Sequence, residues 1–93
     1  MNRKKLKIAR IKIDKLDDDI FYLIKKRTKI VKYMLGLKQF KNQIIDQKRI
    51  KEILKKIKNK SIKNKIDPKI TTKIWKTMIW SYVEYQRKNF RKK

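Results

Sequence analysis

The sequence predicts an all-α protein built from three helices in the order long, short, long, which pairs with a second copy as an intertwined helical homodimer. Apolar residues recur at spacings of three and four in three separate segments, which is the period of amphipathic helices. No segment shows the two-residue alternation of a half-buried strand. The single proline lies between the second and third segments, where it interrupts no helix.

The first helix is predicted from about Arg3 to Gln39 or Phe40. Its side chains form a heptad seam, the pattern of a helix that packs lengthwise against others. The seam consists of Ala9, Ile13, Leu16, Ile20, Leu23, Arg27, Ile30 and Met34. At 1.5 Å per residue this helix is about 55 Å long. The rest of the chain is too short to cover such a seam, so a second copy is the expected partner.

Arg27 is the polar exception in the seam. An arginine that loses its hydration there must find an anion, so it is either paired or reserved for a ligand. Lys38 is turned by only about 20° from Arg27 at roughly 100° per residue, and lies about 16 Å further along the axis. The two cations could therefore reach toward one small anion. Arg10 is turned by about 100° from Arg27 and faces another direction.

The second helix follows a short loop predicted at residues 41–43, where the apolar periodicity breaks. Asp46 is the expected N-cap, because its carboxylate can accept from the first free backbone N–H groups. The helix is predicted to end at about Asn59. Its apolar face consists of Ile50, Ile53, Leu54 and Ile57.

The third helix begins at Asp67-Pro68, since aspartate caps a helix and proline fits its first turn. Residues 61–66 before it are polar and lysine-rich, which predicts a surface connection. The helix is expected to continue to about Phe90, with residues 91–93 fraying. Ile70, Ile74 and Met78 form one apolar stripe, and Trp75, Ile79, Tyr82 and Gln86 lie on its flank.

Residues 1–93 are predicted to form a single domain. Its composition limits the kinds of catalysis that its side chains can perform. The chain has no cysteine, no histidine and only eight carboxylates, so metal, thiolate and histidine chemistry are nearly excluded, and no cofactor is expected. No apolar run approaches the roughly 18 residues of a membrane span, and the N-terminus does not resemble a secretory signal. A cytoplasmic location away from membranes is therefore expected.

The formal net charge of +23 favours a solvated, lysine-rich surface. The basic residues are 25 lysines against six arginines, spread around all three helices. The non-enzymatic alternative is a small basic helical module for RNA or DNA, because aromatic and basic residues interleave between Trp80 and Phe90. Such a module needs its arginines exposed along one face, whereas Arg27 lies in the seam. Nucleic acid is therefore not expected as a partner. A coiled-coil adaptor, the other alternative, would need neither Arg27 nor Gln86.

Four polar residues lie next to apolar faces and could line one cavity: Arg27, Lys38, Arg49 and Gln86. An amide on the flank of an apolar stripe must satisfy its hydrogen bonds inside the protein or reach a ligand. Arginine forks bind carboxylates at roughly 1.5–3 kcal/mol per charged hydrogen bond. The set therefore favours a small dicarboxylate substrate.

Five segments on three helices resemble the all-helical chorismate mutase family in order and spacing. They are Arg10-x-x-Ile13-Asp14-x-Leu16-Asp17, Lys26-Arg27, Lys38, Asp46-x-x-Arg49 and Ile79-x-x-Tyr82-x-x-x-Gln86. The resemblance covers nearly the whole chain. It implies an intertwined homodimer of three-helix chains with two equivalent active sites.

The resemblance also implies residue roles. Arg27 and Arg49 would hold the substrate near its carboxylates, and Arg10 would enter the same site from the other subunit. Lys38 and Gln86 would donate to the ether oxygen of the breaking C–O bond. Conversion of chorismate to prephenate is a pericyclic rearrangement without metal, cofactor or covalent intermediate, which a chain without histidine and cysteine can catalyse.

Two residues depart from the usual mutase pattern. Ile50 stands where the family commonly has a glutamate that binds the substrate hydroxyl, and Tyr82 stands where it commonly has a serine. Both are similar to the isochorismate–pyruvate lyase branch of the fold, which makes salicylate. Asp46 is similar to a mutase aspartate near the substrate hydroxyl. Chorismate mutase is the favoured reading, with the lyase as the alternative.

Overall fold

The computed structural model describes residues 2–91 and contains helices throughout, with no strand in that range. The helices are α1 (Arg3–Leu37), α2 (Gln47–Lys63) and α3 (Pro68–Asn89), with a 3₁₀ turn, Lys41–Gln43, between α1 and α2. The predicted all-α chain of three helices, long, short and long, is confirmed. The expected fraying of the C-terminus falls mainly on Lys92 and Lys93, which lie outside the described residues.

α1 begins at Arg3 as predicted but ends two to three residues before the predicted Gln39 or Phe40. Asn2 starts it, since its Oδ1 accepts from the backbone N–H of Lys5 at 3.0 Å. The early end has a local cause, because the Gln43 side chain accepts the backbone N–H groups of Gln39 and Phe40 at 2.8 and 2.9 Å. Those two N–H groups therefore do not continue the helical ladder.

α2 begins as predicted, with Asp46 as its N-cap. Its end differs from the prediction, because the helix continues four residues past Asn59 to Lys63. Ser61 was expected in a surface connection and is instead buried inside the helix. Its hydroxyl oxygen lies 2.6 Å from the Ile57 carbonyl oxygen and 2.6 Å from the Thr71 hydroxyl on α3. A short polar side chain is stable there because both partners satisfy it.

Four residues, 64–67, connect α2 to α3. The backbone N–H of Ile66 donates to the Ser61 carbonyl at 2.9 Å, and that of Lys65 donates to the Ile62 carbonyl at 3.2 Å. This pair of bonds defines a Schellman motif. Lys65 takes the left-handed conformation that the motif requires, with φ of 58°.

α3 begins where the Asp67-Pro68 signal predicts and ends one residue before Phe90. The Asp67 carboxylate caps it by accepting from the backbone N–H of Lys69 at 2.9 Å. The buried side chains of α3 are Ile79, Val83 and Gln86, so its core face follows the predicted flank. Ile70 and Ile74, on the neighbouring stripe, are more than half exposed in the single chain.

The chain divides after Tyr33 into two compact units. The C-terminal unit contains the packed pair α2 and α3, with a core of Ile44, Ile50, Ile79 and Val83. The N-terminal unit is formed by α1 alone up to Tyr33, and no residue of α1 is buried. None of the helices within residues 2–91 combines the length and apolar composition that crossing a bilayer requires.

Candidate active site

Lys38 and Gln86, the two donors expected at the ether oxygen, lie together in the C-terminal unit. The Nζ of Lys38 donates to Oε1 of Gln86 at 2.6 Å. Lys38 directly follows α1, and its backbone N–H closes the last turn on the Leu35 carbonyl at 3.2 Å. The two partners are 48 positions apart in the sequence.

Gln86 is buried at 7% exposure, as its place beside the apolar stripe predicts. Its Nε2 donates to the Tyr82 carbonyl at 3.2 Å, one turn earlier in α3. Lysine has donors only, so the carbonyl oxygen of the amide must be the atom that faces Lys38. The amide nitrogen carries two hydrogens, and the Tyr82 carbonyl takes one of them.

The pKa of Lys38 is lowered from its ordinary value because the half-buried side chain loses hydration. The negative charge of Asp46 acts in the opposite direction and favours the ammonium. Asp46 therefore has two effects on the site: it starts α2, and it helps keep Lys38 charged.

Arg49 is attached to this arrangement through its backbone. Its N–H donates to Oδ1 of Asp46 at 3.0 Å, which is the N-cap bond of α2. Its side chain is 64% exposed, and Nη1 lies 3.9 Å from the Glu52 carboxylate, one turn later. A surface pair at that distance holds a guanidinium weakly. The fork of Arg49 can therefore leave Glu52 for a stronger anion.

Ile50 and Tyr82, the two departures from the mutase pattern, also lie in the C-terminal unit. Ile50 is 8% exposed and belongs to the core between α2 and α3. Tyr82 is half-buried, and its backbone carbonyl holds the Gln86 amide. The first turn of α2 therefore has an apolar core residue, Ile50, one turn after its N-cap Asp46.

Arg10 and Arg27 lie on α1 in the N-terminal unit. Arg27 is half-buried, which agrees with a place at the edge of an apolar seam, whereas Arg10 is exposed. Their predicted parts in substrate binding stay predictions, as does a common cavity for Arg27, Lys38, Arg49 and Gln86.

Gln43 is a positioning residue that the sequence analysis did not single out. By accepting two backbone N–H groups at once, its side chain fixes the turn that follows Lys38. Ile44, the next residue, is buried and anchors the same turn. The available signal was an amide three residues after Phe40, the spacing at which a glutamine closes a capping box.

This arrangement is suited to donating hydrogen bonds. A protonated amine and a buried amide, held by each other and by the backbone, can stabilise negative charge on one oxygen. Neither group needs to gain or lose a proton to do so.

Comparison with known proteins identifies the family. The family model Chorismate mutase type II matches residues 9–87, a range that includes every candidate site residue named above. No curated protein and no solved structure matched the chain significantly. The family match extends over most of the chain and over all three helices, and the chain therefore belongs to the chorismate mutase type II family.

Proposed function

We propose that the chain converts chorismate to prephenate, the mutase step of phenylalanine and tyrosine biosynthesis. The observation that carries the proposal is the 2.6 Å hydrogen bond between Lys38 and Gln86 in a chain of this family. It places two donors side by side at a partly buried position, which is what a reaction that builds charge on an ether oxygen needs.

In this mechanism the protein holds the compact, reactive conformer of the substrate, so that bond breaking and bond making occur in one step. Lys38 donates to the ether oxygen with a hydrogen that Gln86 does not use. Gln86 donates with the amide hydrogen that the Tyr82 carbonyl leaves over. Because both groups are fixed before the substrate enters, little reorganisation accompanies the growth of charge.

The carboxylates of the substrate require cations beyond Lys38. Arg49 supplies one fork, since its present partner Glu52 is distant and exposed. Arg27 supplies a second, and Arg10 of a second copy enters the same site, as the family resemblance implies. The functional form is thus a homodimer, and its support is the exposed apolar seam of α1.

A mixing experiment tests the role of Arg10. An Arg10→Ala chain and an Arg27→Ala chain are each expected to form nearly inactive homodimers. After refolding together, the heterodimer is expected to regain one complete site, hence about half of the wild-type activity per heterodimer. Absence of recovery in heterodimers shown to have formed would place both arginines in the same chain's site or outside it.

Isochorismate–pyruvate lyase is the second candidate, and buried Ile50 is the observation that favours it. An apolar Ile50 cannot accept a hydrogen bond from the chorismate hydroxyl. Asp46 must accept it in a mutase, while its Oδ1 also caps α2. In a lyase the same isoleucine would simply form an apolar wall. Charge also builds on the ether oxygen in that reaction, so Lys38 and Gln86 would serve either enzyme.

The deciding measurement compares prephenate formed from chorismate with pyruvate formed from isochorismate. Wild-type protein is expected to have the larger kcat/KM on chorismate. Ile50→Glu puts a carboxylate at a core position and lowers the free energy of unfolding, so its helical circular dichroism is checked first. In folded protein it is expected to leave chorismate turnover unchanged or raise it by up to roughly ten- to a hundredfold, the value of one charged hydrogen bond. A far larger kcat/KM on isochorismate, suppressed by Ile50→Glu, would assign the chain to the lyase.

A further inference from the structure

One face of α3 carries basic side chains that have no part in the proposed reaction. Lys69, Lys73, Lys76, Trp80 and Arg87 lie within about 60° of one another around the helix, at roughly 100° per residue. We call them the basic stripe. All five are exposed, and the tryptophan is 40% exposed. The stripe is turned by about 80° from the buried face of α3, by the same count.

The basic stripe connects two open concavities of the C-terminal unit. The first has a volume of about 620 Å³ and lies between α2 and α3, where Lys58 joins Lys69, Lys73 and Lys76 in its lining. The second has a volume of about 680 Å³ and is lined by residues including Lys41 and Arg87. Trp80 lies between the two along the helix. Positive charge is thus concentrated in grooves and not only on convex surface.

The charge of the stripe is not neutralised over most of its length. Between Asp67 and Glu84, α3 contains no carboxylate, and within the described part of the chain no ion pair joins Lys69, Lys73 or Lys76. Glu84 lies only at the margin of the stripe. Three lysines in a row therefore face solvent with no carboxylate beside them on α3.

The other helices differ from α3 in rings or in charge. α2 contains seven lysines but no aromatic residue, so it offers charge without a stacking surface. α1 has exposed rings at Phe21, Tyr22 and Tyr33, and the Lys26 ammonium already lies 4.8 Å from the Tyr22 ring centroid. The acidic residues Asp14 and 17–19 interrupt the basic surface of α1. On α3 the exposed Trp80 lies in one stripe with basic side chains that line two grooves.

We propose that the basic stripe binds single-stranded nucleic acid, with phosphates on the lysines and Arg87 and a base stacked on Trp80. Lysine and arginine bind phosphates without regard to sequence, and an exposed indole stacks on any unpaired base. From Lys69 to Arg87 the stripe is about 27 Å long, which is long enough to contact several phosphates of one strand. A single strand fits better than a duplex, because Trp80 requires an accessible base face. The charge pattern predicts a solvated, lysine-rich surface, and this face of α3 is the one exception.

The test uses the full chain and a fluorescein-labelled oligonucleotide of twelve thymidines, with fluorescence anisotropy measured between 0.05 and 0.3 M salt. The variant Lys69→Gln, Lys73→Gln, Lys76→Gln is expected to lower the slope of log K against log salt by about 2, at roughly 0.7 per lost phosphate contact. At 0.1 M salt this corresponds to about hundredfold weaker binding.

The matched control is Lys4→Gln, Lys7→Gln, Lys15→Gln, which removes the same three charges from α1. It is expected to weaken binding less than about threefold if the stripe, and not bulk charge, is responsible. Both triple variants should keep the helical circular dichroism and the melting temperature of the wild type, which shows that they are folded.

Trp80 supplies a second readout. In a Trp75→Phe background it is the sole tryptophan, and its emission is expected to be quenched when the oligonucleotide binds. Trp80→Ala is expected to weaken binding about tenfold, the effect of losing one stacked base.

Three results would overturn the proposal. The first is no binding by the wild type at 0.1 M salt. The second is equal weakening in the two triple variants, which would leave only bulk charge. The third is binding to phosphatidylglycerol vesicles, lost in the α3 variant, without oligonucleotide binding; that result would assign the stripe to an anionic lipid surface.

Discussion

The two compact units of the chain use similar apolar patterns with different outcomes. In residues 34–93, α2 and α3 cover each other and bury a small core around Ile50, Ile79 and Val83. In residues 1–33, α1 buries none of its side chains. The large apolar members of its seam are between 48% and 60% exposed, namely Ile13, Leu16, Ile20, Leu23, Ile30 and Met34. The difference separates the part of the chain that covers its own apolar side chains from the part that the proposed homodimer would cover.

The free energy available from burying the α1 seam is large. Full burial of one large apolar side chain is worth about 1.5–3 kcal/mol. Six seam side chains together thus compare with the whole free energy of unfolding of a small domain, about 5–15 kcal/mol. An exposed seam of that size is a strong driving force for association.

The largest expected effect comes from a charge placed in the seam. Leu23→Glu is expected to abolish dimerisation and activity, raising the dimer dissociation constant a thousandfold or more, because burying an unpaired carboxylate in each copy costs several kcal/mol. Sedimentation at micromolar concentration measures the mass, and wild type should give about twice the chain mass. Phe21→Glu is the control, since Phe21 is 72% exposed and about 130° away from the seam. A well-folded wild-type monomer would contradict the dimeric architecture.

The next effect tests the C-terminal unit. Lys38→Met keeps the length of the side chain but removes its donors, so prephenate formation is expected to fall about 10²- to 10³-fold. Lys55→Met, which removes an exposed lysine from α2, should change kcat/KM little. Dimer mass should be unchanged in both variants. Near wild-type turnover by Lys38→Met would mean that the reaction takes place elsewhere.

A smaller effect tests whether the seam of α1 also serves the reaction. Arg27→Lys keeps the charge and loses the bidentate fork, and activity is expected to fall at least tenfold. Arg27→Leu should be as inactive or more so, while its melting temperature is maintained or raised, since a desolvated charge is removed. If either variant retains wild-type kcat/KM, Arg27 has no part in substrate binding.

The smallest effect is a shift of pH dependence. In the proposed mechanism the ammonium form of Lys38 is the active form, so kcat/KM is expected to fall as pH rises through the pKa of Lys38. Burial places that fall below the ordinary lysine pKa of 10.5. Asp46→Asn removes the charge that raises the Lys38 pKa, and should move the fall to still lower pH, while asparagine still caps α2. An unchanged profile in Asp46→Asn would show that the carboxylate does not act on Lys38.

Features governed by local chemistry were predictable from the sequence. Asp46 and the Asp67-Pro68 pair mark the starts of α2 and α3 correctly, because a cap binds backbone groups two or three residues away. The burial of Gln86 follows from its place beside the apolar stripe. The two departures at Ile50 and Tyr82 were also visible in the sequence.

Features governed by distant partners were not predictable. Ser61 lies in a polar, lysine-rich segment that predicts a loop. Its burial depends on a hydrogen bond with the hydroxyl of Thr71, ten positions later, which the local sequence does not indicate. α1 ends early because the Gln43 side chain accepts the backbone N–H groups of Gln39 and Phe40. The spacing of apolar residues does not reveal such a contact. The proximity of Lys38 and Gln86, 48 positions apart, was expected from the family resemblance, whereas the direct bond between them was not. The parts assigned to Arg10 and Arg27 depend on a second copy, so the pattern within one chain cannot test them.

The bare surface of α1 also has a kinetic consequence. In the proposed homodimer, α1 buries its seam only when two molecules meet, so its stable folding depends on that encounter. Thirty-five of the 93 residues are then ordered in a second-order process. Dilution would lower the fraction of competent sites, and specific activity would rise with protein concentration before reaching a plateau. The concentration of the protein would thus determine the fraction that is dimeric and active.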